Sequence, residues 1–214
     1  MTEQLPTEIM KKAAKGISYI SHPLRLRILE YLDVNGASSV SQITEAVREE
    51  QVIVSQSLKK LREAHLVQTE RRGIFIYYKI QEEYPASIFF CIRKMFGYMT
   101  DNFYFLQDGY KAVLPRDYTT MVANRIKLFA NYDKMRILEY LQISGESNVS
   151  DIIKATDGEQ MKTSQYLKRL KDDGFVTSRR DGRFIYYAIT KGVHETAISC
   201  IRKRYNSLKN KDDF

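Results

Sequence analysis

An ungapped internal repeat constrains this chain more than any other feature. Residues 109 positions apart (27 and 136, 91 and 200) fall in matching stretches. Arg27-Ile-Leu-Glu-Tyr-Leu32 recurs as Arg136-Ile-Leu-Glu-Tyr-Leu141, Gly36 as Gly145, and Val40-Ser41 as Val149-Ser150. Phe75-Ile-Tyr-Tyr78 recurs as Phe184-Ile-Tyr-Tyr187, and Cys91-Ile-Arg-Lys94 as Cys200-Ile-Arg-Lys203. A solenoid needs three or more copies to bury a continuous core. Two copies suit a pseudo-twofold pair, each copy standing for one subunit of a dimer. The repeat divides the chain into a first unit over 1–107, a linker over 108–116 with Asp108-Gly109 and Pro115, and a second unit over 117–214.

Within copy one, residues 7–20 read as a helix. Pro23 restarts the chain at an early helical position. A helix over 24–32 follows, with Ile28, Leu29 and Leu32 on its buried stripe, and Asn35-Gly36 ends it. Ser39 is placed to cap a short helix over 40–47, anchored by Val40, Ile43 and Val47. The helix over 51–64 carries Leu58 and Leu61 on one side and Gln, Ser and Lys on the other. His65 aligns with Gly174 and so reads as a left-handed cap. Residues 67–71 and 74–80 form a hairpin about Arg72-Gly73. Lys79 aligns with Ala188, which puts that face outward and Ile76, Tyr78 and Ile80 inward. A helix over 86–105 is too apolar to stand free and has to pack on something. Copy two repeats the plan with helices over 117–131, 133–142, 149–156 and 160–173, a hairpin over 175–189 and a helix over 193–208. Lys209 to Phe214 read as a frayed end. The class is mainly α with small β-hairpin wings, an α+β fold.

A net charge of +8 favours a polyanionic partner, nucleic acid being the commonest. The outer faces of the 51–64 and 160–173 helices fit it. Gln and Ser bond base edges, while Lys and Arg reach phosphates or guanine. The start of the chain has no basic stretch followed by an apolar run, so no secretory signal is read. No run of about 18 apolar residues spans a membrane. Two cysteines in 214 residues make no disulfide framework, and the reading is cytoplasmic. There is no P-loop, Gly-x-Gly-x-x-Gly, His-Glu-x-x-His or nucleophile elbow, and His22, His65 and His194 are scattered. No enzyme and no cofactor are expected.

The element order, ending in a reading helix, a two-stranded wing and a further helix, is that of a winged helix-turn-helix. The residues His22-Pro-Leu-Arg-Leu-Arg-Ile-Leu29, Ser55-Gln-Ser-Leu-Lys-Lys-Leu-Arg-Glu-Ala-His-Leu-Val67 and Gly73-Ile-Phe-Ile-Tyr-Tyr-Lys-Ile80 resemble the ArsR-type (SmtB-like) bacterial repressors. The resemblance covers nearly all of both copies. Copy two departs from it at Asn131-Tyr-Asp-Lys134, where the proline is missing. The resemblance implies a dimer-like arrangement made within one polypeptide, a monomer with an internal pseudo-dimer. The first and last helices would form the interface, and the reading helices would enter successive major grooves of double-stranded DNA.

Carried onto this sequence, the base-reading positions are Gln51, Val52, Ser55 and Gln56, with Gln160, Met161, Ser164 and Gln165 in copy two. Lys59, Lys60, Lys168 and Arg169 would hold phosphates. Arg71, Arg72, Arg179, Arg180 and Arg183 on the wings suit phosphate or a narrow minor groove, or serve solubility alone. The two reading faces differ: Ser57 stands against Tyr166, and Val52-Ile53 against Met161-Lys162. Glu49 and Glu50 flank the first reading helix and repel phosphate. The expected operator is an imperfect palindrome whose second half contributes more affinity.

Metal-sensing relatives carry a Cys-x-Cys pair on the third helix. Here Ser41-Gln-Ile43 and Ser150-Asp-Ile152 stand there, and on the last helix only His194-Glu195 is present, so no metal is expected. Cys91 and Cys200 occupy equivalent positions on the two interface helices. They read either as a redox or soft-metal pair or as small buried hydrophobes. Phe89, Phe90, Phe96, Tyr98, Phe103, Tyr104 and Phe105 read as interface core or as the lining of a small-molecule pocket, and no effector is identified. The alternative function is a tandem winged-helix module that docks a protein without binding DNA.

Overall fold

The structure is a computed structural model. It describes residues 3–81 and 111–190, together with Phe89, Ile92, Arg93, Thr100, Asn102, Tyr104, Gln107, Ile198, Ile201, Arg202, Tyr205 and Asn206. Cys91, Cys200, His194 and Glu195 lie outside the described residues, as do the end after Asn206 and most of the helices read over 86–105 and 193–208.

The chain packs into two compact units. One is continuous, Gly16–Lys127. The other is split, built from Met1–Lys15 and Leu128–Phe214. Packing therefore cuts the chain at different places from the repeat. Each unit joins the reading region of one copy to the helix that opens the other.

In the continuous unit, the end of α1 (Thr7–Ile20) leads into α2 (Pro23–Asn35), β1 (Ser38–Ser39), α3 (Val40–Val47), α4 (Gln51–Glu63), β2 (Val67–Arg72) and β3 (Phe75–Ile80). It closes with α5 (Arg116–Ile126). The split unit takes the start of α1 and then, after a 3-10 turn at Lys127–Ala130, α6 (Tyr132–Ser144). Next come β4 (Ser147–Asn148), α7 (Val149–Thr156), α8 (Gln160–Asp172), β5 (Val176–Asp181) and β6 (Phe184–Ile189).

Local sequence explains these elements. Pro23 opens α2 without a side-chain cap from His22. In α6, which lacks the proline, the Asn131 side chain accepts the Lys134 N–H instead. The two devices do the same work, one by fixing φ and one by satisfying an orphan donor. Ser39 and Gln42 form a reciprocal capping box on α3, and Asn148 caps α7. His65 takes φ +54°, beside Gly174 at +76°, as their alignment predicts. Ile28, Leu29, Ile43, Val54, Leu58 and Leu61 are fully sealed in the continuous core. In the split unit Ile137, Leu138, Ile152, Leu167 and Leu170 hold matching buried places, and Phe129 meets Phe175 edge-to-face at 5.2 Å.

One sequence expectation is extended and one needs correction. Both hairpin wings form, and a short strand joins each into a three-stranded sheet, ordered β1-β3-β2 and β4-β6-β5. The extra strands have two residues each, too short to show an alternating pattern. Ile76 does not face inward; it is 51% exposed. Tyr78 and Ile80 do pack on the core. β1 pairs with β3 only at Tyr77 and Tyr78, so from Ile76 to the tip the hairpin runs beyond the layer that would cover it.

Short extended arms precede α1 and α5, and they are repeat-equivalent: Leu5-Pro6 and Leu114-Pro115. Each docks on a buried glutamate. Leu114 N–H donates to Glu30 Oε1 at 2.7 Å, and Leu5 N–H donates to Glu139 Oε1 at 2.7 Å. Arg93 adds a bond to the Ala112 carbonyl at 3.1 Å and pairs with Asp33 at 2.6 Å. Its counterpart Arg202 binds the Glu3 carbonyl at 2.5 Å and Glu139 at 2.8 Å. Arg136 holds Glu139 Oε2 at 2.9 Å and the Leu5 carbonyl at 3.0 Å. Buried carboxylates survive because every oxygen finds a donor.

Burial pushes the Glu30 carboxyl above its ordinary value, against the opposing bonds from Leu114 and Thr119. A carboxyl raised on folding binds its proton more tightly in the native state. Its contribution to stability is therefore full below about 4.5, the ordinary value, and falls as pH rises through the raised value. Glu30→Gln keeps an acceptor for Leu114 and removes the titration. The stability of wild type relative to Glu30→Gln is expected to decline from pH 4.5 towards neutrality, read as urea midpoints across pH. A difference independent of pH would contradict this assignment.

Candidate nucleic-acid interface

In each unit a three-residue turn sets the reading helix on the short helix before it. Arg48 (φ +51°) and Asp157 (φ +50°), at repeat-equivalent positions, both sit in the left-handed region. Such residues cost of order 1 kcal/mol and persist where packing fixes the chain. In the second turn, a Cβ on Gly158 would stand 2.5 Å from Thr163 Oγ1, so a side chain there would have to displace that hydroxyl; the first turn carries Glu49 at the equivalent position, with Val54 in place of Thr163.

The turn aims two faces of each reading helix. Val54, Leu58 and Leu61 of α4, and Leu167 and Leu170 of α8, lie fully inward. Gln51, Val52, Ser55, Gln56, Lys59 and Lys60 are exposed, as are Gln160, Met161, Lys162, Ser164, Gln165, Lys168 and Arg169. Ser57 is buried at 8% and belongs to the inner face. Its counterpart Tyr166 is half-buried, with the Lys134 ammonium 5.4 Å from its ring centroid.

Salt bridges redistribute the charges that sequence alone leaves free. Glu49 binds Arg116 at 2.6 Å and Arg27 at 3.6 Å, so its charge is balanced within the unit. Glu159, the counterpart of Glu50, is held by Lys162 at 2.7 Å. Arg169 pairs with Asp173 at 2.9 Å. On the first wing Arg72 binds Glu70 at 2.9 Å and stacks 4.8 Å above Tyr77. The second wing builds the same cluster with the charges exchanged. Arg179 stands at the Glu70 position, Asp181 at the Arg72 position, and Arg179 stacks 4.8 Å above Tyr186. Arg179 also takes Glu146 at 2.7 Å, and bonds to Glu146 and then Asp181 push its guanidinium further up from an already high value. Arg71 and Arg180 instead reach the turn carbonyls of Gly73 and Gly182, and Arg183 lies over Phe184 at 5.0 Å. The wing pairs and the Glu49 pairs escaped the sequence reading because they join residues two apart on a strand, or distant segments. Glu70 opposite Arg179 in the alignment was the available signal.

In the split unit a cleft of about 430 Å³ opens between α7, the start of α8 and the wing, edged by Ser150, Lys154, Gln160 and Arg183. Among the described residues no group of three or more His, Cys, Asp or Glu is placed to hold a metal ion. No helix among them is long and apolar enough to cross a membrane.

The family model described as bacterial regulatory protein, arsR family, matches the chain twice, over residues 22–69 and 132–178. Two segments similar to that family therefore lie in tandem in this chain. Each runs from the start of α2 or α6 through the reading helix into the wing. Among characterised proteins, the chain is similar to the cadmium resistance transcriptional regulatory protein CadC of Listeria innocua and to that of Lactococcus lactis. Each is 32% identical over 71 residues, 33% of this chain and 60% of the relative. The arsenical resistance operon repressor of Escherichia coli is 26% identical over 85 residues, 40% of this chain and 73% of the relative. The chain thus spans 60% of the length of each cadmium regulator.

Proposed function

We propose that this chain is a sequence-specific regulator of transcription, acting as a repressor, that binds double-stranded DNA. Its two reading helices address the halves of one imperfect palindrome, and the internal pseudo-dimer replaces subunit pairing, so the working form is a monomer. The observation that carries this reading is the repeated outer face. Gln51, Ser55, Gln56 and Lys59, and Gln160, Ser164, Gln165 and Lys168, are all exposed above a sealed leucine row. Such a set supplies donors and acceptors for base edges beside cations for phosphates. The relatives' names, a transcriptional regulator and an operon repressor, support the same reading.

The halves are unequal. Copy one presents Val52-Ile53 behind an exposed Glu50; copy two presents Met161-Lys162, with Glu159 neutralised by Lys162. The second half contributes more affinity. Selection of bound duplexes from random DNA is expected to return two related but unequal half-sites. The duplex symmetrised on the second half should then bind more tightly than that symmetrised on the first. Equal binding to both would remove the asymmetry, and failure to enrich any sequence would leave the protein-docking alternative.

A further inference from the structure

Equivalent positions on the two reading helices carry a large apolar side chain on the polar face. Val52 is 66% exposed and Met161 is 67% exposed. Each lies in the first helical turn, directly after Gln51 or Gln160 and one turn before Ser55-Gln56 or Ser164-Gln165. The core has already taken its apolar set from these helices, since Val54, Leu58 and Leu61, and Leu167 and Leu170, are fully buried. A branched or thioether side chain left in water among glutamines gains free energy only when a partner covers it. In the major groove the one apolar feature on a base edge is the C5-methyl group of thymine.

Resting on the DNA-reading function proposed above, we infer that Val52 and Met161 each recognise a thymine methyl, one in each half-site. Ile53, 42% exposed, widens the apolar surface beside Val52. Its counterpart Lys162 is charged and drawn back to Glu159 at 2.7 Å. The first half-site therefore carries the larger methyl dependence.

Uracil isolates the claim, because it keeps the pairing edge of thymine and lacks only the methyl. Thymines of the selected duplex are replaced singly by uracil, and affinities are measured for the full chain, Val52→Ala and Met161→Ala. Both substitutions are on exposed positions and leave the core untouched. Wild type should bind about fourfold more weakly for each recognised methyl lost, the equivalent of one buried methylene. Val52→Ala should lose uracil sensitivity in the first half only, and Met161→Ala in the second half only. Wild-type binding that ignores uracil at every position, or alanine variants that keep wild-type sensitivity, would overturn the inference while leaving DNA recognition intact. Failure of wild type to bind the thymine duplex would overturn both.

Discussion

Glu139→Ala is expected to destabilise the split unit by about 3–5 kcal/mol, the cost of breaking a buried ion pair by removing one partner. Glu139 is fully buried and accepts from three groups: the Leu5 N–H at 2.7 Å, Arg202 at 2.8 Å and Arg136 at 2.9 Å. Alanine leaves two guanidinium groups and a backbone donor facing a cavity. Glu139→Gln restores an acceptor for Leu5 without the charge and should fall between alanine and wild type. Glu146→Ala provides the contrast. Its carboxylate also holds an arginine, Arg179 at 2.7 Å, but both side chains are well exposed, and such pairs contribute 0–1 kcal/mol at most by the usual range, roughly. Urea unfolding followed by circular dichroism, with hydrogen exchange assigning the loss to a unit, would check the ranking. A cost for Glu139→Ala as small as that for Glu146→Ala would remove the buried carboxylate from its role in docking the arm.

The second large effect concerns binding. Reversing Lys59, Lys60, Lys168 and Arg169 to glutamate together should abolish retention on the selected duplex, with the fold intact because all four are exposed. Each lost phosphate contact makes the plot of log affinity against log salt shallower by about 0.9. The four singles should not be equal. Arg169 already pairs with Asp173 at 2.9 Å, so Arg169→Glu gives up the least phosphate interaction. Lys59, Lys60 and Lys168 should each cost more. Full-length protein titrated against labelled duplex at several salt concentrations gives both slope and affinity. Undiminished retention by the quadruple variant would favour the protein-docking alternative.

The reading helices were legible because their stripe of Leu58 and Leu61, or Leu167 and Leu170, is periodic and repeated. Two helix ends were legible too: Ser39 sits just before its helix, and His65 opposite Gly174 marked a left-handed position. The arms were not legible. Leu5-Pro6 and Leu114-Pro115 are too short for any period, and their acceptors lie 134 and 84 positions away. Nor was the balance of charge at the interface. Glu49 reads as a phosphate repellent until Arg116, from beyond the wing, is seen to hold it. Ile76 misled for a different reason: alternation gives the two faces of a strand but not how far the covering layer extends.

The docking of Leu5 beside Glu139 and of Leu114 beside Glu30 has a consequence for anyone who would halve the protein. A gene bisected after position 107 yields two fragments that each leave home without the peptide that fills its glutamate pocket, while carrying the one that fills the other's. Produced singly, such fragments should be poorly folded or trade their ends with a sibling; produced together, they should complement. The duplication has thus become an obligate exchange, and neither half can drift away from the other without exposing an acid that was never meant to meet water.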